Sequence, residues 1–176
     1  AGAKVTLISG PVNLPTPPLV RRVNVETANE MLEKVLALAP NMDIFIGVAA
    51  VADYRPAKCE NKKIKKSSAN LELKLVKNPD IISEVSKLSS KPFTVGFAAE
   101  TDAIVKNGKE KLREKNLDLL FANNAIETFN NDNITVTAID RDAEKQIGPA
   151  TKVLVARQII ELISTRLRGE EKTSNE

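Results

Sequence analysis

Short apolar runs alternate along this chain with longer stretches in which apolar residues recur at helical spacing. Lys4 to Ile8 is such a run, closed by Ser9-Gly10-Pro11, and predicts a strand. Val12 to Pro18 carries Pro15, Pro17 and Pro18 and predicts an extended loop. Leu19 to Val25 predicts a second strand. Thr27-Ala-Asn-Glu30 is a capping-box pattern, and Ala28, Met31, Leu32, Val35, Leu38 and Ala39 continue it as a helix until Pro40. Asp43 to Val48 reads as a strand buried on both faces. Asn78-Pro79 predicts an N-cap with proline at the first helical position, opening a helix to about Leu88. Phe93 to Ala98 is a strand, Thr101 to Lys115 a helix, Leu117 to Phe121 a strand, and Thr151 to Leu167 a final amphipathic helix. From Gly169 the chain is polar and predicts a frayed tail. Two segments alternate with period 2: Asn70 to Val76, a half-exposed antiparallel strand, and Ile134 to Ile139, which would pair with it or with another subunit.

Strands interleaved with helices predict an α/β fold, a Rossmann-like three-layer parallel sheet with an added antiparallel arm, and ligands at the carboxyl ends of its strands. The length, 176 residues, suits one domain. Hydrophobic content of 42% with only 3% aromatics gives an aliphatic core. Charge is nearly balanced, 26 bases against 23 acids, and no aromatics interleave the basic runs, which argues against nucleic acid as a partner. No apolar run approaches the roughly 18 residues of a membrane span, and no secretory signal opens the sequence. The single cysteine, Cys59, excludes an internal disulfide and a cysteine-cluster zinc site and fits a reducing compartment, so a cytoplasmic location is expected. The chain contains 0 histidines, so its chemistry falls to lysine, carboxylate, backbone or metal.

The candidate chemistry begins at Ile46-Gly-Val-Ala-Ala-Val-Ala-Asp-Tyr-Arg-Pro56, a strand end of small residues followed by Lys62-Lys63-Ile64-Lys65-Lys66. Tyr54-Arg-Pro-Ala-Lys58 has the Tyr-x-x-x-Lys spacing of short-chain dehydrogenases, but that pair needs one helix and Pro56 breaks it. There is no Gly-x-Gly-x-x-Gly turn and no P-loop. The lysine block is either solvated surface or a basic lid over an anionic ligand. In the 101–115 helix, Ile104, Val105, Gly108 and Leu112 form one arc at about 100° per residue, and Lys111 and Lys115 fall on its inner edge. They either snorkel past the helix or face an anion such as phosphate. Lys77-Asn-Pro-Asp-Ile81 offers helix-start donors beside a strand end. Phe97, in Gly96-Phe97-Ala-Ala-Glu100, is either a base platform or core, and Asn123-Asn124 is a polar contact or a turn.

Taken in order, Ala49-Ala-Val-Ala-Asp-Tyr-Arg55, Lys63-Ile-Lys-Lys66, Lys77-Asn-Pro-Asp-Ile81, Val95-Gly-Phe-Ala-Ala-Glu-Thr101 and Lys115-Asn-Leu-Asp118 resemble phosphopantothenate–cysteine ligase. That enzyme is the synthetase half of the bacterial bifunctional coenzyme A biosynthesis flavoprotein. Ser9-Gly-Pro11 and Leu14-Pro-Thr-Pro-Pro18 fit the same family, and the match weakens across about 127–146. The resemblance implies CTP-dependent joining of 4′-phosphopantothenate to cysteine with Mg²⁺, through an acyl-cytidylate. It implies Lys63 as the catalytic lid lysine. Gly47, Val48 and Ala49 would approach the nucleotide, with Ala49 and Ala50 at the substrate's acyl group. Asp53, Pro79, Asp80, Ile81, Ile82 and Phe97 would be nucleotide contacts, and Lys111 and Lys115 would hold CTP. Cys59 matches no family site. The family also places a strand, a glycine-rich turn, a Ser-Ser-Gly-Lys-Met-type segment and an acting Asn before the position of Ala1. The expected organisation is therefore a ligase domain over 1–168 lacking that start, a disordered tail over 169–176, a homodimer built through the alternating strands, and FMN confined to a decarboxylase domain elsewhere in the full-length protein. The rival readings are a nucleotide-binding module without activity and an NAD(P)-dependent reductase.

Overall fold

The chain, as a computed structural model, is described over residues 2–59, 62–64, 71–125 and 131–173. Its first two strands, β1 (Val5–Ser9) and β2 (Val20–Asn24), pair in parallel as a sheet of their own. The proline-rich loop between them is tied down by Arg22, whose guanidinium donates to the Leu14 carbonyl (2.9 Å) and to Ser9 Oγ (3.2 Å). Helix α1 (Ala28–Leu38) starts on the capping box: Thr27 Oγ1 accepts the Glu30 N–H (3.2 Å) and Glu30 returns a carboxylate to the Glu26 N–H (3.0 Å). These bonds hold the Glu30 carboxyl below its ordinary range, the Glu26 bond first, then Thr27, with a smaller contribution from Lys34. A 3-10 turn over Ala39–Asn41, with Pro40 inside it, ends the segment.

The main sheet takes β3 (Ile44–Gly47), β6 (Phe93–Glu100), β7 (Leu119–Asn124), β8 (Asn133–Ile139) and β9 (Glu144–Thr151) in that spatial order. A separate antiparallel ribbon pairs β4 (Tyr54–Pro56) with β5 (Leu75–Lys77). The remaining helices are α2 (Ile81–Ser86), α3 (Ile104–Glu114) and α4 (Lys152–Thr173).

The pleat divides the main sheet into two faces. Phe93, Val95, Leu119, Phe121, Val136 and Ala138 point to α4, where they meet Val155, Ile159 and Ile163. Ala98, Leu120, Ala122 and Ile139 point the other way, to Leu112 of α3, with Ile82 of α2 packed against them. A third cluster, Val35, Ala39, Ile81 and Val85, joins α1 to α2 and receives Ile8 of β1 and Phe45 of β3. Two glycines let α2 lie close on the sheet. A Cβ at Gly47 would come 3.1 Å from Ile82 Cδ1, and one at Gly96 would come 2.7 Å from Leu117 Cδ1 and 3.2 Å from Ile82 Cδ1.

The α/β layering agrees with the sequence reading, and several details differ. The main sheet is mixed: β3, β6 and β7 run parallel, and β8 and β9 add to it antiparallel. The alternating segment at 134–139 therefore belongs inside this sheet rather than to an arm, with Leu120 opposite Ile139; its alternation marks one face on α4 and small or polar residues between. The second member of the arm is β4, which Pro56 hides from a strand reading although an edge strand tolerates proline. The same disguise hides β9, an edge strand containing Gly148-Pro149. Finally, α2 is capped by Asp80, whose Oδ1 accepts the Ser83 N–H (3.2 Å), rather than by Asn78. The backbone of α4 continues to Thr173, past the Leu167 boundary; residues 174–176 of the expected tail lie outside the described residues.

Candidate functional site

Strand lengths create the site. β3 stops at Gly47, opposite Gly96, whereas β6 continues through Phe97, Ala98 and Ala99 to Glu100, still paired with β7 as far as Asn124. Among the described residues no strand covers the β3 side of that extension. The chain leaves β3 there as an exposed loop, in which Val48 is 63% exposed and Ala49, Ala50 and Asp53 are also open to solvent. An uncovered strand edge keeps backbone donors and acceptors available to a ligand.

The loop is anchored from the far side. Asn78 donates its backbone N–H to the Asp53 carbonyl (2.7 Å) and its side-chain amide to the Ala52 carbonyl (2.8 Å). Arg55 closes the tie by donating to the Lys77 carbonyl (2.8 Å) and to Asn78 Oδ1 (3.0 Å). Asn78 and Arg55 therefore position the loop, a role that a helix-cap reading of Asn-Pro conceals. The backbone of Pro79 to Ile82 follows directly, and the Ile82 side chain fills the space over Gly47 and Gly96. The smallness of Gly47 on that face serves packing.

Lys111 and Lys115 both turn inward, and both meet protein carboxylates. Lys111 Nζ lies 2.5 Å from Glu100 Oε1, and Lys115 Nζ lies 3.0 Å from Asp80 Oδ2. Each ammonium is partly open, with side-chain exposures of 43% and 35%. Burial alone would raise the Asp80 pKa, but hydrogen bonds from Lys115 and Ser83, with the Lys115 charge, bring it below its ordinary value. Glu100 was not among the expected site residues. The signal for it was a lone acid closing the apolar run Val95 to Ala99.

Phe97 takes the core alternative for its ring. It stacks on Phe121 with centroids 5.3 Å apart, on the α4 face, so the sheet separates the ring from Lys111 and Lys115. Its backbone lies on β6 one residue beyond Gly96, where the pairing with β3 ends. Lys63 is exposed and lines a different recess, about 590 Å³, walled by Pro56, Lys58, Ile64, Leu71 and Leu73 of the ribbon side. The other strand-end residues do not line it. Lys65 and Lys66 lie outside the described residues, and Cys59 is exposed. A further recess of about 370 Å³, walled by Lys109, Arg113, Asn116 and Arg141, lies at the opposite end of α3 from Glu100. Asn123 and Asn124 end β7 beside Ala99 and Glu100.

An α/β sheet whose parallel strands end unevenly, flanked by a helix whose Lys111 and Lys115 meet Glu100 and Asp80, defines a Rossmann-like domain. The chain belongs to the family of the DNA/pantothenate metabolism flavoprotein C-terminal domain, which matches residues 1–167. It is 45% identical over 170 residues to the coenzyme A biosynthesis bifunctional protein CoaBC of Vibrio vulnificus, a match covering 93% of this chain and 42% of that protein. The CoaBC of Haemophilus influenzae is 46% identical over 168 residues, with 94% and 42% covered. The chain thus spans under half the length of these curated relatives. A crystal structure of the C-terminal domain of a CoaBC protein superposes with a TM-score of 0.80 at 34% identity, covering 96% of this chain and 76% of that one. No helix among the described residues is long and apolar enough to cross a membrane.

Proposed function

We propose that this chain performs the CTP-dependent ligation of 4′-phosphopantothenate to cysteine, giving phosphopantothenoylcysteine. The family and its bifunctional relatives support the reaction class. The observation that carries the reading is the pair Lys111 and Lys115, two half-open ammoniums of one helix held by Glu100 at the end of β6 and by Asp80 at the start of α2, where a triphosphate would lie. In the first step a carboxylate oxygen of phosphopantothenate attacks the α-phosphorus, the bond to the β-phosphate oxygen breaks, and pyrophosphate leaves an acyl-cytidylate. In the second, the cysteine amine attacks the acyl carbon, CMP departs, and the amine gives up a proton as the amide forms.

The first step needs alignment and charge neutralisation more than a general base, which suits a chain with 0 histidines. Lys111 and Lys115 would neutralise the phosphates. The backbone of Gly47 to Ala49, Pro79 to Ile82 and Phe97 would line the nucleotide, and Asp53 would take a nucleotide hydroxyl or base donor. Ala49 and Ala50 would leave room for the acyl group. Lys63 would swing in from the ribbon side to stabilise charge on the transferring phosphoryl group. Among the described residues no group of three or more carboxylate, cysteine or histidine side chains gathers to hold a metal ion. Mg²⁺ would therefore be held mainly by phosphate oxygens and water, as its small octahedral shell favours, and would supply further neutralisation. FMN would serve a separate decarboxylase half of the full-length protein. The ribbon and the stretch leading into it expose Tyr54 (59%), Leu71 (65%), Leu73 (62%) and Leu75 (53%), and we assign this apolar patch to a homodimer contact.

Pyrophosphate release from CTP, dependent on added phosphopantothenate and measured on the full-length protein, tests the reading. Lys63→Ala is expected to reduce that release by at least about a hundredfold with the fold intact, the scale of losing a transition-state charge contact. Normal turnover by that variant removes the lysine assignment; absence of release in the wild type removes the ligase reading.

A further inference from the structure

β6 is buried along nearly all its length, and its last residue is a carboxylate: Glu100 is only 8% exposed. A buried carboxylate is unfavourable unless its oxygens are satisfied. Both are. Oε1 accepts from Lys111 Nζ (2.5 Å), and Oε2 accepts from Asn107 Nδ2 (3.3 Å), which also donates to the Asp102 carbonyl (3.1 Å). Asn107 and Lys111 stand one turn apart on α3, so Glu100 grips one face of that helix.

A comparison within the molecule separates positioning from structure. Asp118 is also nearly buried and also holds a lysine, Lys91 (2.7 Å), but it accepts the Thr94 N–H as well (2.7 Å), and so fixes the start of β7 to the backbone of β6. Glu100 has no such backbone bond among the described residues; its partners are two side chains of α3. A half-open lysine adds little stability to the fold. What the contact does is limit Lys111, a side chain with large rotamer freedom, to one direction, with its ammonium on the carboxylate that ends β6. An ammonium has three donors, so one can stay on Glu100 while two meet phosphate oxygens.

We propose that Glu100 is a positioning residue for the nucleoside triphosphate: it holds the Lys111 ammonium in place, with Asn107 as its second anchor, before nucleotide arrives. This inference rests on the ligase reading of the same site. Glu100→Gln keeps the shape and removes the charge. In the full-length protein it is expected to raise the KM for CTP about tenfold, the loss of one charged hydrogen bond. The KM values for phosphopantothenate and cysteine should stay within about twofold, and the effect should not multiply with that of Lys111→Ala. A second readout needs no turnover: acylation of Lys111 by acetic anhydride, followed by peptide mass spectrometry without nucleotide, is expected to speed up several-fold in the variant as the amine is freed. An unchanged KM for CTP overturns the proposal, as does a loss spread over all three substrates together with a lower melting temperature. If the wild type uses no CTP, the ligase reading fails by itself and the acylation rate decides: faster labelling upholds the tether, unchanged labelling overturns it.

Discussion

Glycine at a helix centre is normally a weakness, and Gly108 in α3 shows when it is not. Alanine there would gain about 1 kcal/mol of helix propensity. Its Cβ, however, would lie 2.4 Å from Ile139 Cδ1, and Ile139 is fully buried between α3 and the sheet with little room to move. Overpacking of this kind costs about 1–3 kcal/mol, so the clash outweighs the propensity. Gly108→Ala is expected to lower stability in urea unfolding by about 1 kcal/mol. Removing the offending atom tests the cause: Ile139→Val lacks Cδ1, and the double variant should be more stable than the sum of the single effects predicts. An additive result would place the strain elsewhere. The same reasoning sets Gly47 and Gly96 against Ile82. At the β3 end, the small size of Gly47 is needed for the packing of α2.

At the scale of elements, local chemistry made most of the chain legible. The capping box marks α1, the apolar runs mark β1, β3, β6 and β7, and the helical wheel turns Lys111 and Lys115 inward. Periodicity could not say what those lysines face, because their partners come from β6 and from the α2 cap, far away in sequence. It also could not show that Phe97 faces across the sheet from them, since a strand's two sides are told apart only by the helices that cover them. Proline masked β4 and β9, and the Asn-Pro pair drew the start of α2 two residues early. The true cap, Asp80, joins two elements: Oδ1 caps α2, and Oδ2 holds Lys115 of α3. Asp80→Ala should therefore cost about 1 kcal/mol, whereas Asp80→Asn, itself a good cap, should cost less. The pH dependence follows from the lowered Asp80 pKa. A carboxyl with a folded-state pKa below its ordinary 3.8 contributes its full stability above that value and loses it as pH falls through the folded pKa. The gap between wild type and Asp80→Asn should thus be constant from neutral to mildly acid pH and close only below 3.8. A gap that closes near neutrality would assign the contribution to some other group.

For the whole molecule, the ribbon and the strand-end site are one mechanical system. Arg55 and Asn78 bind the loop after β3 to the segment between β5 and α2, so whatever fixes the ribbon also fixes the loop that carries Val48 to Asp53. Leu75 pairs with Pro56 and so shares a face of the ribbon with it and with Tyr54, and the exposed Leu71 and Leu73 lie in the stretch that leads into β5. Apolar side chains gathered this way on a thin two-stranded ribbon have no core of their own, since an isolated hairpin is marginally stable in water. A second copy laid against that face would bury them, steady the ribbon, and hold Lys63 within reach of a phosphoryl group. Leu73→Glu places a charge within this apolar patch without touching the main sheet. It is expected to convert a dimer into a monomer by light scattering while the circular dichroism of the domain stays the same. With Lys63 in the proposed lid role on the ribbon side, turnover should fall with the dimer and recover partly at high protein concentration. A wild type that is monomeric at micromolar concentration, or a Leu73→Glu dimer, would sink the assignment of this face.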